Sequence, residues 1–306
     1  MKGVIILPKY LERLWTPKTK DTNFDNIVSE NVHLYYTMRD VFGFEIRYDN
    51  KVSVASDVDV VCVFAVPYHN RPALIPGLLD LNKNIKLVTF TGDLQCYSNK
   101  LCLDNKIKVF NRSDLIISFS NEYFMKMYPQ FLSKYRFLPK SFAPHSRYTS
   151  LLFNDKPKLK GLFCGSVNKN VYPLRSLIVN KHYADIDYKR PKYTGADYAK
   201  LLHSYFCGIT CSSIFNYALA KCFEIPATGS LLLTNETVDL KKLGFIPHQH
   251  YIPITKENVF SKVTQCIKNP ADYDNIRKEG MKFVRENHSI VNRVDLLKKF
   301  FSDLME

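Results

Sequence analysis

Residues 211–236, CSSIFNYALAKCFEIPATGSLLLTNE, have the pattern of a loop, a helix, a break at proline and glycine, and a buried strand. Ser212 and Ser213 carry side chains that cap helix N-termini, and apolar residues recur at three-to-four spacing over 216–223. This pattern predicts a helix that ends at Glu224, where the helix dipole disfavours a carboxylate. An acid in that position indicates either a ligand contact or a solvated side chain at a frayed helix end.

The chain has 306 residues, enough for two domains of ordinary size. Its 46% hydrophobic and 24% charged residues are typical of a soluble globular protein. No apolar run approaches the length of a membrane span, and the apolar part of residues 1–12 is too short for a signal peptide. The eight cysteines include no C-x-x-C pair, which predicts free thiols in a reducing compartment and no zinc site. We therefore expect a cytoplasmic protein.

The net charge of +14 is compatible with nucleic acid, an anionic membrane surface or anionic substrates such as sugar nucleotides. The lysines are scattered along the chain, and no nucleic-acid recognition motif is present. A diphosphate ligand together with general solubility accounts for the charge. We expect no specific nucleic-acid partner, and weak attraction to a membrane surface stays open. The oligomeric state is not indicated.

Near-continuous apolar runs alternate with polar, helix-like segments throughout the chain. Clear examples are residues 2–7, 59–66, 86–90 and 114–119, and a second series starts at Gly161. Such runs predict parallel strands covered on both faces by helices. The fold class is therefore α/β, with two successive layers joined by a connection rich in proline and lysine.

The run FEIPATGSLLLT, residues 223–234, resembles the F-E-x-x-A-x-G-x-x-L-L-T signature of GT-B glycosyltransferases, in particular the spore-maturation-protein type related to the large family four. In that family the matching Glu hydrogen-bonds the ribose of a nucleotide-sugar donor, which assigns this role to Glu224. The broader family has a second acid eight residues earlier, where this chain has Asn216. The compact size and the Lys, Asn and Tyr content suit a glycan-decorating enzyme of a large DNA virus or a bacterium, in the former case in the host cytoplasm.

The resemblance implies two Rossmann-like domains that face each other across a cleft. Residues 1–145 would bind the acceptor, 146–160 would be a linker, and 161–290 would bind the nucleotide sugar. Residues 291–306 would form a C-terminal helix that crosses back to the first domain.

The stretch GLFCGSVNKNVYPLR, residues 161–175, places a Gly-Ser pair directly after a predicted strand. Glycine permits close approach of a ligand, and a following helix N-terminus favours phosphate. The alternative is an ordinary turn with solvated basic side chains. The resembling enzymes have a similar G-S-x-x-x-x-x-Y-P-x-R stretch, and Tyr193 and Thr194 correspond to a turn beside their nucleotide base. The expected donor-binding residues are Gly165, Ser166, Lys169, Arg175, Tyr193, Thr194, Ser212, Ser213, Asn216, Lys221 and Glu224.

A general base must reach the acceptor hydroxyl, and loops after strands are where α/β folds bind ligands. Asp93 is the first candidate and His69 the second; the alternative is a turn aspartate and a solvated loop histidine. The D-x-D triplets at 57–59 and 185–187 are incidental, because neither follows the end of a predicted strand. We expect no cofactor and no essential metal.

The predicted function is transfer of a sugar from a nucleoside-diphosphate sugar, for example one of UDP or GDP, to a hydroxyl of a glycan or glycoprotein; the sequence does not indicate the base. The alternative is a catalytically silent α/β protein that binds a nucleotide sugar or a polyanion.

Overall fold

The computed structural model describes residues 1–7, 30–48, 51–52, 57–64, 74–91, 99–143, 145–165, 167–189 and 195–306. These residues form two compact units. The first unit contains Asn31–Pro139, the strand at the start of the chain and Val294–Glu306. The second contains Lys140–Arg293. Of the predicted sites, Asp93, His69, Ser166, Tyr193 and Thr194 lie outside the described residues.

The first unit is built on a six-stranded sheet in which all neighbouring strands are parallel, in the order β2-β1-β3-β4-β5-β6. Strands such as GVIIL and VVCV are buried along their whole length, which is expected when helices cover both faces of a sheet. The strands are β1 (Gly3–Leu7), β2 (Glu45–Tyr48), β3 (Val60–Val63), β4 (Lys86–Thr91), β5 (Leu115–Ser118) and β6 (Tyr135–Phe137).

A side-chain cap and an aromatic contact stabilise helices of the first unit. The Asn99 side chain accepts a hydrogen bond from the Cys102 amide and so caps the second helix. Phe301 packs on Phe42 and Phe44, with ring centroids 5.2 and 5.4 Å away. The helices are α1 (Glu30–Phe42), α2 (Lys100–Arg112) and α3 (Asn121–Met127), followed by a 3₁₀ helix (Pro129–Lys134).

The second unit has a five-stranded parallel sheet in the order β11-β10-β9-β7-β8. Its two apolar clusters include Phe223 and Leu232 in one and Phe163 and Ile209 in the other. The strands are β7 (Lys158–Cys164), β8 (Ile186–Lys189), β9 (Tyr205–Ile209), β10 (Leu231–Thr234) and β11 (Ile252–Pro253).

Helices cover the second sheet and continue to the end of the chain. The last helix of the chain has its first residues, up to Arg293, in the second unit and the rest, from Val294, in the first. The helices are α4 (His145–Thr149), α5 (Pro173–Lys181), α6 (Gly195–His203), α7 (Lys221–Ala227), α8 (Val238–Lys242), α9 (Val259–Lys268), a 3₁₀ helix (Pro270–Tyr273), α10 (Asp274–Asn287) and α11 (Ile290–Met305).

The two sheets share one topology. Counted within each unit, the first five strands have the order 2-1-3-4-5, one of the two common doubly wound arrangements. The predicted α/β class with two parallel layers is confirmed, and so are the strands predicted at 2–7, 86–90 and 114–119, to within one or two residues.

Two local secondary-structure predictions differ from the structure. The helix expected over 216–223 begins only at Lys221, and the polar segment around 185–187 forms strand β8. Residues 146–160, predicted to be a linker, contain most of helix α4 and the start of β7. In the part of the chain that the structure describes, six cysteines are free and buried, as small apolar side chains would be, whereas Cys102 is disulfide-bonded, which differs from the expected free thiol.

Candidate functional site in the second unit

The second sheet has its switch point between β7 and β9. From β7 the chain continues to β8 on one side, and from β9 it continues to β10 on the other. Such a point opens a crevice at the carboxyl ends of the two strands, and doubly wound proteins bind ligands there. Gly165 follows β7 directly, and Thr210 and Cys211 follow β9. The residues around these two strand ends therefore define the candidate site.

Arg175 crosses this crevice from helix α5. Its Nη2 donates a hydrogen bond to the Cys211 carbonyl at 3.3 Å, and its guanidinium carbon lies 3.8 Å from the centroid of the Tyr172 ring. The residue is 4% exposed. A carbonyl contact and a stacked ring hold the guanidinium in one orientation, so its charge is in place before a ligand arrives.

Gly165 brings the end of β7 close to two cations. A Cβ built on this residue would lie 3.4 Å from Nη1 of Arg175 and 3.5 Å from Cε of Lys221. The glycine therefore leaves the space between the backbone and these two side chains unfilled. A glycine backbone, a guanidinium and an ammonium at one strand end are groups that bind phosphate oxygens.

Glu224, Tyr198 and Lys221 form a connected group beside this strand end. The Tyr198 hydroxyl donates to Oε2 of Glu224 at 3.2 Å, and Nζ of Lys221 donates to the same hydroxyl at 3.1 Å. Glu224 is 6% exposed and Tyr198 is 3% exposed. Burial, with the Glu224 charge next to it, raises the pKa of Tyr198 well above its ordinary value, so the phenol keeps its proton.

Cys164 connects this group with the end of strand β7. Burial raises the pKa of its thiol; Lys221 acts against that shift and Glu224 adds to it. The last residue of β7 therefore lies within electrostatic reach of both charges. Arg175 and Lys221 both approach the next residue, Gly165, so Glu224, Lys221 and Arg175 belong to one site.

The position of Glu224 in its helix corrects the sequence-based argument for it. Helix α7 begins at Lys221, so Glu224 lies in the first turn, where the dipole favours a carboxylate. Asn216 has a φ of 59°, in the left-handed region, which interrupts a helix before Lys221. The expectation of an acid held against the dipole was wrong, although Glu224 is at the site.

Ser212 and Ser213 do not cap a helix. The Ser212 amide donates to Oδ1 of Asn235 at 2.7 Å, and Asn235 Nδ2 donates to the Ser212 hydroxyl at 2.8 Å. The Ser213 hydroxyl accepts from the Phe215 amide, and the Ser212 hydroxyl donates to the Asn216 side chain. These bonds shape the loops after β9 and β10, so no helix dipole acts from this position.

Among the donor-site predictions that the structure describes, Gly165, Arg175, Lys221 and Glu224 come together, whereas Lys169 is an exposed side chain on the loop before α5. Sequence reasoning missed Tyr198. No motif marked it, because a tyrosine in an amphipathic helix has the pattern of an ordinary core residue.

Both D-x-D triplets are engaged in ion pairs. Asp57 pairs with Lys2, and Asp187 accepts from Lys158, Lys160 and Tyr205. In the described ranges, no three His, Cys, Asp or Glu side chains are grouped so that they could hold a metal ion. No helix in the described part of the chain has both the length and the apolar character needed to cross a bilayer.

Two doubly wound units with sheets of one topology, and a likeness to solved glycosyltransferase structures over nearly the whole chain, define the GT-B fold. Residues 152–299, which contain the whole candidate site, match the family model described as glycosyl transferase-like. No curated protein sequence matches the chain closely.

Three similar solved structures share the fold over nearly the whole chain. A glycosyltransferase from Rickettsia africae has 11% identity and a TM-score of 0.60, covering 100% of this chain and 98% of its own. Sucrose-phosphate synthase from Thermosynechococcus elongatus has 9% identity and a TM-score of 0.68, with 99% of each chain covered. Anabaena HepE, solved with UDP and glucose, has 8% identity and a TM-score of 0.66, covering 99% of this chain and 100% of its own.

Proposed function

We propose that this protein is a glycosyltransferase that takes a sugar from a nucleoside-diphosphate donor bound in the second unit. The observation that carries the proposal is the grouping of Glu224, Lys221, Arg175 and Gly165 at the switch point of that unit's sheet. The match of residues 152–299 to a glycosyl transferase-like family supports the same function.

In this proposal, different residues of the site bind the ribose and the diphosphate of the donor. The Glu224 carboxylate accepts hydrogen bonds from the ribose hydroxyls, and Arg175 and Lys221 bind the diphosphate. Arg175 is the stronger orienting group, because its planar fork is already fixed by the Cys211 carbonyl and the Tyr172 ring. Lys169, exposed on the loop before α5, adds charge when the donor is present.

Departure of the nucleoside diphosphate is the step that these cations assist. Negative charge grows on the bridging and β-phosphate oxygens as the bond to the sugar breaks. Preset positive groups lower the energy of that state without reorganising, since the guanidinium is held in position beforehand. In the proposal the cations take the place that a divalent metal holds in metal-dependent transferases, so activity persists in chelator.

We propose UDP as the nucleotide, with GDP as the second candidate. Anabaena HepE was solved with UDP and with UDP-glucose, and a pneumococcal O-GlcNAc transferase was solved with UDP and GlcNAc. Ser166, Tyr193 and Thr194 are proposed to complete the donor site.

The acceptor is proposed to be a hydroxyl of a glycan or glycoprotein, deprotonated by Asp93 or, failing that, His69. We place the reaction in the cytoplasm. The protein is proposed to bind no specific nucleic acid, and its attraction to a membrane surface is weak.

Thermal stabilisation by UDP, GDP and CDP and their sugars tests the donor site, with and without EDTA, on the wild type and on Glu224→Gln. A ligand at a hundred times its Kd adds about 2.7 kcal/mol of stability. We expect UDP and UDP-sugars to stabilise the wild type whatever the EDTA, and Glu224→Gln to lose most of the shift. If no nucleotide stabilises the wild type, the proposal fails.

Release of UDP from UDP-sugars separates the enzyme from a silent binding protein. We expect slow UDP release with water as acceptor and faster release with a glycan acceptor. Binding without any UDP release over a panel of donors and glycans would favour a silent nucleotide-sugar-binding protein.

A further inference from the structure

We propose that Tyr198 is a positioning residue that sets the preference of this site for ribose over a sugar lacking ring hydroxyls. It acts by holding the Glu224 carboxylate in place. This inference rests on the proposed function, since it concerns the same nucleotide site.

The direction of the hydrogen bonds around Tyr198 follows from counting protons. Lys221 has only donors, so the Tyr198 oxygen accepts from Nζ at 3.1 Å. The phenol has one proton, and its bond to Oε2 of Glu224 at 3.2 Å is the one it donates. The chain therefore runs from the ammonium through the phenol to the carboxylate. Because the pKa of Tyr198 is raised well above its ordinary value, this proton stays on the phenol at neutral pH.

A carboxylate on its own could not keep one orientation for a ligand. Glu224, on helix α7, has several rotatable side-chain bonds, and Tyr198, buried on helix α6, places a donor at one of its carboxylate oxygens. The bond from the phenol selects one of the rotamers of Glu224. A carboxylate already oriented toward the ribose loses less conformational entropy when the nucleotide binds.

Lys221 contacts the same phenol. Its Nζ lies 5.2 Å from the centroid of the Tyr198 ring as well as in hydrogen-bond contact with the hydroxyl. Lys221 and Glu224 are three residues apart and so share one face of α7. Among the described residues, Lys221 shares helix α7 with the carboxylate, and both Lys221 and Arg175 approach Gly165.

The unit contains a second lysine–tyrosine–acid group that serves as an internal control. The Tyr205 hydroxyl donates to Oδ2 of Asp187 at 2.8 Å, and Nζ of Lys158 lies 5.0 Å from the Tyr205 ring centroid. Here Lys158 pairs directly with Asp187 at 2.5 Å, and its side chain is 50% exposed. This group joins β7, β9 and the edge strand β8. It has the same chemistry but lies at the amino ends of these strands, opposite the carboxyl ends where the crevice of the switch point opens.

The test compares binding of UDP and 2′,3′-dideoxy-UDP, which lacks both ring hydroxyls, by calorimetry. The proteins are the wild type, Tyr198→Phe, Glu224→Gln and the control Tyr205→Phe. We expect Tyr198→Phe to weaken UDP about tenfold while dideoxy-UDP changes less than about threefold, because one charge-assisted bond is lost. Tyr205→Phe should leave both affinities unchanged. Phenylalanine keeps the buried ring, and melting temperatures verify that each variant is folded.

A double variant shows whether Tyr198 acts through Glu224. Tyr198→Phe combined with Glu224→Gln should bind UDP no more weakly than Glu224→Gln does, since residues that act as a unit are not additive. Equal losses for UDP and dideoxy-UDP in Tyr198→Phe, or additive losses in the double variant, overturn the positioning role.

The same data distinguish this inference from the proposed function. If Glu224→Gln removes the preference for UDP and Tyr198→Phe retains it, the nucleotide site stands and only the positioning role fails. If the wild type binds neither nucleotide, or Glu224→Gln retains the preference, the proposed donor site fails and the positioning role fails with it.

Discussion

Replacing Arg277 by methionine should destabilise the second unit, because this side chain joins three segments of it. The residue is 2% exposed. Its Nε donates to the Gly229 carbonyl at 3.0 Å and its Nη2 donates to the Asn154 carbonyl at 2.6 Å. Its Nη1 pairs with Asp274 at 2.8 Å, and the guanidinium lies over the rings of Phe153 and Phe206. Burial lowers the pKa of Arg277, and Asp274 acts against that shift.

The expected loss in Arg277→Met is about 3 kcal/mol of unfolding free energy. Two carbonyls lose a buried donor, at about 1–3 kcal/mol each. The pair with Asp274, whose side chain is 40% exposed, adds less than about 1 kcal/mol. Methionine also removes a buried cation and so recovers part of the cost of its desolvation, which keeps the expected total loss near the lower end of the range that these contributions allow.

Urea unfolding followed by far-ultraviolet circular dichroism measures this loss. At a slope of about 3 kcal/mol per molar urea, the midpoint should fall by about 1 M. Lys278→Met is the matched control, because Nζ of Lys278 lies 5.2 Å from the centroid of the same Phe153 ring but the residue is exposed. Its midpoint should stay within about 0.2 M of the wild type. A midpoint shift below about 0.3 M in Arg277→Met, or an equal shift in Lys278→Met, would refute the reasoning.

Three further outcomes are expected. Burial, assisted by Arg293, lowers the pKa of His288 to about 3. The neutral imidazole therefore contributes its full stabilisation above pH 6.5 and loses it as the pH falls toward 3. Between pH 7 and 5 the unfolding free energy of the wild type should fall by about 2 kcal/mol more than that of His288→Gln in urea unfolding, and equal losses in the two proteins would contradict this. Gly208→Ala should cost about 1–3 kcal/mol, because the new Cβ would lie 2.7 Å from Cγ2 of Ile225; in thermal unfolding, the double variant with Ile225→Ala should lose less than the sum of the two single losses. Arg175→Lys should weaken UDP about tenfold in calorimetry, since a lysine cannot keep the fork held by the Cys211 carbonyl, and an unchanged Kd would remove Arg175 from the proposed site.

The buried strands could be predicted from sequence because their signal is local. GVIIL and KLVTFT are apolar runs with polar flanks, and a parallel sheet covered on both faces requires such runs. Strand β8 gave no such signal, because it is at the edge of its sheet and carries Asp187, which pairs with lysines of β7. Edge strands need only one buried neighbour, so their composition can be polar.

The start of helix α7 could not be predicted from the spacing of apolar residues either. Residues 216–223 have helical spacing, yet Asn216 adopts a left-handed conformation and Ser212 bonds to Asn235 on the next loop. That bond spans 23 residues and overrides the local preference. As a result Glu224 lies at the beginning of its helix and not at the end.

The amino-acid sequence by itself determined the α/β class, the glycine after β7 and the run around Glu224, because each depends on neighbours along the chain. The family resemblance had grouped Arg175, Lys221 and Glu224 in one donor site, and only the tertiary structure decided which groups they contact and that Tyr198 links two of them. Contacts between residues on different helices depend on strand order and packing, and no short-range pattern encodes either.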